Sequence, residues 1–337
     1  TTTGAGSSGI VAQSVGGGGN ATGLEGFRLG RFDRSLDRAI DPDDVSQRLV
    51  SSGVYELPGL RNERWERVST PWGEPSDELH FGELPTANGP VEMVFLPRHG
   101  RGHPHSPSSI NYRANIDALK RVGVTDIISV SAVGSLKEEL PPGTFVIVDQ
   151  FIDRTFAREK SFFGEGFVAH VSMAEPVCPR LGDHIEEACK ANDIRYSRGG
   201  TYLVMEGPQF STLAESNLYR SWGCSVIGMT NMPEAKLARE AEICYATVAM
   251  VTDYDCWHPH HAHVEVSDVV RVLEENAGHA RAVVRAVAES FGPERAPSPQ
   301  GFDRVLDTAL ITAPAKRDPE LVRKLDAVAG RVLRPAS

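Results

Sequence analysis

The sequence predicts an α/β fold, a mostly parallel β-sheet covered by helices. Three observations predict it. From about residue 46 onward, short apolar runs rich in β-branched residues alternate with helical patterns. The runs are continuously apolar rather than alternating, as strands covered on both faces must be. Polar, chemistry-bearing residues gather directly after the runs, at the strand ends where ligands sit in such sheets.

The first thirty residues stand apart, because ten of them are Gly, including Gly16–Gly19. Such a segment buries too little apolar surface to offset its ordering entropy. We read residues 1–45 as a flexible Gly/Ser-rich leader and residues 46–337 as one domain. Gly4 to Gly9 match GxGxxG by letter, but only Thr1-Thr2-Thr3 precedes them, so the strand that a dinucleotide site needs is missing. The predicted strands are Val91–Leu96, Asp126–Val133, Thr144–Val148, Thr201–Met205, Ser225–Met229 and Ile243–Thr252. Between them, helices are predicted over Ile110–Val122, Leu181–Ala191, Ser211–Trp222, Pro233–Ala241 and Val266–Phe291. A last helix begins at Asp318-Pro319, an N-cap followed by proline at the first helical position, with Leu321, Leu325, Val328 and Val332 along one face.

Composition excludes several classes. The 337 residues are 40% hydrophobic, with 35 Lys+Arg against 45 Asp+Glu and a net charge of −10. A surface that neutralises nucleic-acid phosphates does not fit that balance. No apolar run approaches the roughly 20 residues of a membrane span, and no secretory signal is read. The five cysteines are odd in number with no CxxC pair, which suits reduced thiols in the cytoplasm.

Five strand ends carry polar groups. Arg98 and His99, with Ser131 and Thr230, form a small cationic and hydroxyl set. The set suits a free phosphate better than a nucleotide, because no GxxxxGK loop is present. By residue type alone, Arg98 also suits a surface ion pair and His99 a hydrogen bond in the core. Asp253 and Asp255, two apart, share one side of a strand, where carboxylates can meet the ring nitrogen and exocyclic amine of a purine. An ordinary acidic pair is the alternative. Phe210 suits stacking on a base or packing in a core. The tract His258, His260, His261 and His263 reads as a solvated loop, as do His103 and His105. No nucleophile elbow, HExxH or Ser/His/Asp order is present, and no metal site is expected.

Leu96–His103 (LPRHGRGH), followed by Asn111–Ile116 (NYRANI), resembles the methylthioadenosine phosphorylase branch of the trimeric purine nucleoside phosphorylase family. Ser131–Leu136 (SAVGSL), Gln150–Thr155 (QFIDRT), Met173–Pro176 (MAEP), Glu206–Ser211 (EGPQFS), Met229–Glu234 (MTNMPE) and Thr252–Trp257 (TDYDCW) agree. The resemblance covers about residues 50 to 335. It implies a single-domain, three-layer α/β/α fold with a central mixed, mostly parallel sheet, and a homotrimer with sites near subunit interfaces. It implies phosphorolysis of 5′-methylthioadenosine to adenine and 5-methylthioribose 1-phosphate, with inorganic phosphate as co-substrate and no cofactor. Carried over by motif, Ser52, Arg98, His99, Ser131, Ala132 and Thr230 would hold phosphate. Met229 would meet the ribose through its backbone, Phe210 would pack on the base, and Thr252 would lie beside the nucleoside. Asp253 and Asp255 would be catalytic, facing N7 and the 6-amino group. His170, Val266 and Val269 would shape the pocket for the 5′ substituent. The partners implied are a nucleoside and phosphate, with neither nucleic acid nor membrane. The chain departs from the family pattern at Ser51, where a glycine is usual, and at Leu213, where a basic residue is usual. Cleavage of adenosine or another 5′-hydroxyl nucleoside, nucleoside binding with impaired turnover, and hydrolysis without phosphate are the competing functions.

Overall fold

The computed structural model describes residues 10–13, 57–259, 266–291 and 295–333; for residues 10–13, 266–271 and 273–275 it describes the backbone alone. The described strands are β1 (Ile10–Gln13), β2 (Arg61–Glu66), β3 (Leu79–Thr86), β4 (Gly89–Leu96), β5 (Asp126–Ser135), β6 (Phe145–Ile147), β7 (Gln150–Asp153), β8 (Tyr196–Arg198), β9 (Thr201–Val204), β10 (Val226–Gly228) and β11 (Cys244–Asp253). They form one sheet in the order β2-β3-β4-β1-β5-β10-β9-β7, with β11 pairing β5 and β6, and β6 pairing β8. Six pairings are parallel and four antiparallel. The sheet is therefore mixed and mostly parallel, as expected.

The two central strands explain the layers. Along β5 and β11 nearly every residue is buried. Because side chains alternate across a strand, they divide between two cores. Ile127, Tyr245, Ala249 and Val251 pack with Ile116 and Leu119 of α1 (Tyr112–Arg121) and Leu237 and Ala238 of α4 (Asn231–Glu240). Ile128, Val130, Ala246, Val248 and Met250 pack on the other face. There they meet Leu181 and Ile185 of α2 (Pro179–Ala191) and Val283, Val284 and Val287 of α5 (Val266–Ser290). Helices thus cover both faces, which is why both strands read as unbroken apolar runs. A further helix, α3 (Leu213–Ser221), follows Thr212, whose side chain accepts from Glu215 N while Glu215 reaches back, a reciprocal cap.

The structure differs from expectation in several places, the unforeseen short strands β7 and β8 among them. Ile10–Gln13, assigned to the leader, forms a strand parallel to both β4 and β5 and lies between them. Four residues suffice for that slot, although the glycine-rich composition around them hid the strand. The hairpin partners β2 and β3 were not foreseen. Five of the six β2 residues are exposed, so the strand lacks an apolar signal. The last helix is shorter than its stripe. It spans Pro319–Lys324 with Asp318 as N-cap; the buried Leu325 and Val328 sit in the following turn, and Val332 falls in a separate short helix, Gly330–Leu333. Ser52 and residues 14–56 lie outside the described residues.

Candidate active site

The loop after β4 closes on itself. Gly100 N bonds Pro97 O at 2.9 Å, and His105 N bonds His99 O at 3.1 Å. Gly100 has φ 74°, and a Cβ there would meet Pro104 Cγ and Ser76 O at 3.0 Å, so both space and backbone require glycine. Inside this loop the His99 ring has Nδ1 2.7 Å from the His105 carbonyl. The ring stacks on His103 with centroids 4.1 Å apart. Burial, reinforced by the neighbouring His103 and Arg98, pushes His99 down to about 3, so its ring is neutral near pH 7. His99 Nε2 is buried and has no hydrogen-bond partner among the described residues. His103, expected in a solvated loop, is half-buried and stacked on His99.

Arg98 is fully buried. Its Nε and Nη2 reach Glu234 at 2.6 and 3.0 Å, and Nη2 also meets Ser129 Oγ at 2.5 Å. Glu234 Oε1 further accepts from Ser129 at 2.9 Å and from the Tyr245 hydroxyl at 2.8 Å. Burial opposes the guanidinium's charge, and the charge and hydrogen bonds of Glu234 more than restore it. Glu234 is thus a residue of the site to which sequence reasoning gave no role. It lies inside the MTNMPE motif, but its pairing with Arg98 spans 136 positions. Next to this cluster, Ser131 Oγ meets the Tyr202 hydroxyl at 3.0 Å. Thr230 Oγ1 is buried without a well-formed hydrogen bond, although Tyr202 feels it nearby. Ala132 is buried on β5 beside Ser131.

A second buried arginine was also missed. Arg158 Nη1 donates to the carbonyls of Met229 at 2.5 Å and Met232 at 2.6 Å, and Nη2 donates to that of Glu206 at 2.6 Å. It thereby ties the loop after β9 to the loop after β10, and Gly207 lies against Met229 Sδ. Glu206 grips the same junction through Ser108 Oγ and through Phe156 N at 2.6 Å.

The acidic pair closes the other side. A Cβ on Gly134 would lie 3.0 Å from Asp253 Oδ1 and 3.2 Å from Asp255 N. The absent side chain therefore lets the end of β11 settle against β5. Asp255 lies just past the strand with φ 51°, rather than continuing it, and its N–H donates to Asp253 Oδ1 at 2.7 Å. Thr252 Oγ1 donates to Asp253 Oδ2 at 2.8 Å. Burial raises Asp253. Burial, together with the charge of Asp253, pushes Asp255 up to about 6 despite hydrogen bonds from Ser216 and Ser211. Such a pair holds a proton far more readily than isolated carboxylates do.

Arg98, His99, Ser131, Ala132, Met229, Thr230, Thr252, Asp253 and Asp255 thus occupy adjoining strand ends, linked through β5, Tyr202 and Arg158. Phe210 stands near them on the loop leading to α3, with 59% of its surface exposed. His170 does not join them. It is exposed, and its segment is bound to Ala309. Val266 and Val269 begin α5, and their side chains lie outside the described residues. His258, expected in a solvated tract, is buried, stacks on Tyr254 and reaches Glu138 at 3.2 Å; the rest of that tract lies outside the described residues. Among the described residues no group of three or more His, Cys, Asp or Glu could hold a metal, and no helix is long and apolar enough to cross a membrane.

Comparison with known proteins names the family. Residues 49–289 match the family described as the phosphorylase superfamily. The chain belongs to that superfamily. Within it, the chain falls in the methylthioadenosine phosphorylase branch. It is 66% identical over 283 residues to an S-methyl-5′-thioadenosine phosphorylase of Cereibacter sphaeroides, covering 84% of this chain and 96% of that one. A protein of the same description from Rhodospirillum rubrum is 66% identical over 282 residues, covering 84% and 95%. Among solved structures, a methylthioadenosine phosphorylase from an antarctic soil metagenomic library superposes with TM-score 0.79 at 40% identity, covering 98% of this chain and all of that one. The Schistosoma mansoni methylthioadenosine phosphorylase in complex with adenine superposes with TM-score 0.72 at 30% identity, covering 90% and 98%. As a member of the phosphorylase superfamily, the chain is a pentosyltransferase of the nucleoside phosphorylase type acting on small molecules.

Proposed function

We propose that the chain cleaves 5′-methylthioadenosine with inorganic phosphate, giving adenine and 5-methylthioribose 1-phosphate. The observation that carries the reading is the half-buried pair Asp253 and Asp255, with Asp255 pushed up to about 6, at the end of β11 and against β5, in a fold that also buries Arg98, His99 and Thr230. The relatives named S-methyl-5′-thioadenosine phosphorylase support the choice of nucleoside. A phosphate oxygen attacks C1′ while the bond from C1′ to N9 breaks, and the electron pair of that bond passes into the purine. No protein nucleophile is needed. Arg98, His99, Ser131, the backbone at Ala132, Thr230 and Ser52 hold the anion against a sugar that becomes cation-like. Met229 sets the ribose, and Phe210 and Thr252 flank the base. The acidic pair delivers a proton to N7 as the base leaves.

No cofactor or metal enters this scheme; phosphate is a substrate. The reading includes a homotrimer. In a single chain Phe210, Leu213, Leu218 and Trp222 present exposed apolar surface along α3 and at its two ends, and His170 stands apart from the site. A neighbouring copy would cover the first group and bring a His170 to the 5′ end of the nucleoside, with Val266 and Val269. Five free cysteines support a reducing compartment, the cytoplasm.

The test is adenine release from 5′-methylthioadenosine and from adenosine, each with and without phosphate. Phosphate-dependent release that favours the methylthio compound is expected. A strong preference for adenosine would reassign the nucleoside, and equal release without phosphate would make the protein a hydrolase.

A further inference from the structure

The His99 ring is held with its tautomer fixed. Nδ1 lies 2.7 Å from the His105 carbonyl, and the same two residues are joined again by His105 N to His99 O at 3.1 Å. A carbonyl oxygen only accepts, so the ring proton sits on Nδ1. In the neutral ring Nε2 is then a bare lone pair. It is buried, in a residue 4% exposed, and lacks a hydrogen-bond partner among the described residues. A buried acceptor without a donor carries a desolvation cost that a donor on the ligand would relieve.

The groups around the ring oppose a second proton. His103 is stacked on it, and Arg98 and His105 flank it along the loop. The carboxylates on this side are engaged elsewhere: Glu234 by Arg98, Ser129 and Tyr245, and Asp77 and Glu78 by Arg101. Burial drives the ring further toward the neutral form, down to about 3. An oxyanion arriving at Nε2 therefore meets an acceptor. A fully deprotonated oxygen there leaves two lone pairs facing each other, whereas a protonated oxygen donates.

We propose that His99 Nε2 accepts the hydroxyl of hydrogen phosphate, and that this contact selects phosphate over oxyanions without a hydroxyl, such as sulfate. The proposal rests on the phosphorolysis reading of the site. It also orients the nucleophile. With the P–OH group at His99, the three unprotonated oxygens are left for Arg98, Thr230 and the anomeric carbon. No proton is exchanged with solvent when phosphate binds in this form. Sulfate has no hydroxyl, so it enters only if the ring takes a proton from solution.

The experiment is calorimetric titration of the full chain with phosphate and with sulfate. Each titration is made in two buffers of different protonation enthalpy, at several pH values on the alkaline side of the second ionisation of phosphate. Phosphate affinity is expected to stay level with pH, with no net proton taken up. Sulfate affinity is expected to be weaker and to fall about tenfold per pH unit, with about one proton taken up per anion. His99→Gln, whose amide can donate or accept, is expected to remove both the proton uptake and most of the discrimination, an effect of about tenfold to a hundredfold in the affinity ratio. Sulfate binding as tightly as phosphate without proton uptake would overturn the proposal, and the wild-type measurement decides this even should the variant fail to fold. An unchanged ratio in folded His99→Gln would overturn it as well. A chain that binds neither anion, and cleaves nucleoside equally without phosphate, would overturn the phosphorolysis reading together with the proposal.

Discussion

Replacing Glu234 by Ala removes the carboxylate that pairs with Arg98 in the interior. Both residues are at most 1% exposed, and the pair is bidentate at 2.6 and 3.0 Å. Solvent therefore cannot take over the role of the lost charge without opening the core. The hydroxyls of Ser129 and Tyr245 lose the same acceptor. Breaking a buried ion pair from one side costs about 3–5 kcal/mol, a large part of a typical 5–15 kcal/mol stability. For a chain of this size that is roughly 6–15 °C in Tm, at about 2–3 °C per kcal/mol. The assay is urea unfolding with m held to the wild-type value, so that the midpoint reports stability, beside the phosphate KM of the folded variant. Glu234→Ala is expected to show both losses, because Glu234 also fixes the plane of the guanidinium. A stability loss below about 1 kcal/mol, the size of an exposed pair, would refute the reasoning.

Two further expectations concern the acidic pair. Asp255 is raised from its ordinary 3.8 to about 6, so over that window the folded chain binds more protons than the unfolded one. Its contribution to stability therefore falls as pH rises through the window, by about 3 kcal/mol at 1.36 kcal/mol per unit. Asp255→Asn should flatten the slope of urea midpoints against pH between these values and abolish most turnover; a slope as steep as wild type would contradict the assignment. Gly134→Ala places a Cβ 3.0 Å from Asp253 Oδ1 and 3.2 Å from Asp255 N. An overpacking cost of about 1–3 kcal/mol should appear in the urea midpoint, and the displaced acidic pair as a lower kcat with the phosphate KM little changed, read from initial rates at varied phosphate.

Much of this architecture was legible because its central strands are covered on both faces. Asp126–Ser135 and Cys244–Asp253 had to be continuous apolar runs, and they were found within two residues of their ends. Arg61–Glu66 left no such trace, since its side chains face solvent. Ile10–Gln13 left none because a four-residue strand carries too few positions for a period to show. The site followed the same division. Arg98, His99, Thr230, Asp253 and Asp255 were visible as polar groups directly after apolar runs. Their supports were not. Glu234 meets Arg98 across 136 positions, and Arg158 meets Met229 across 71. Contacts of that separation are set by the folded topology and carry no local pattern. His258 shows the opposite error, since a histidine-rich tract reads as solvated although Tyr254 and Glu138 enclose its first member.

Phosphorus NMR of a reaction mixture holding the chain, 5′-methylthioadenosine and phosphate tests the central claim most directly. A new sugar 1-phosphate resonance should grow in step with free adenine, one for one, while the phosphate signal shrinks. Adenine that accumulates with the phosphate signal undiminished would contradict the account.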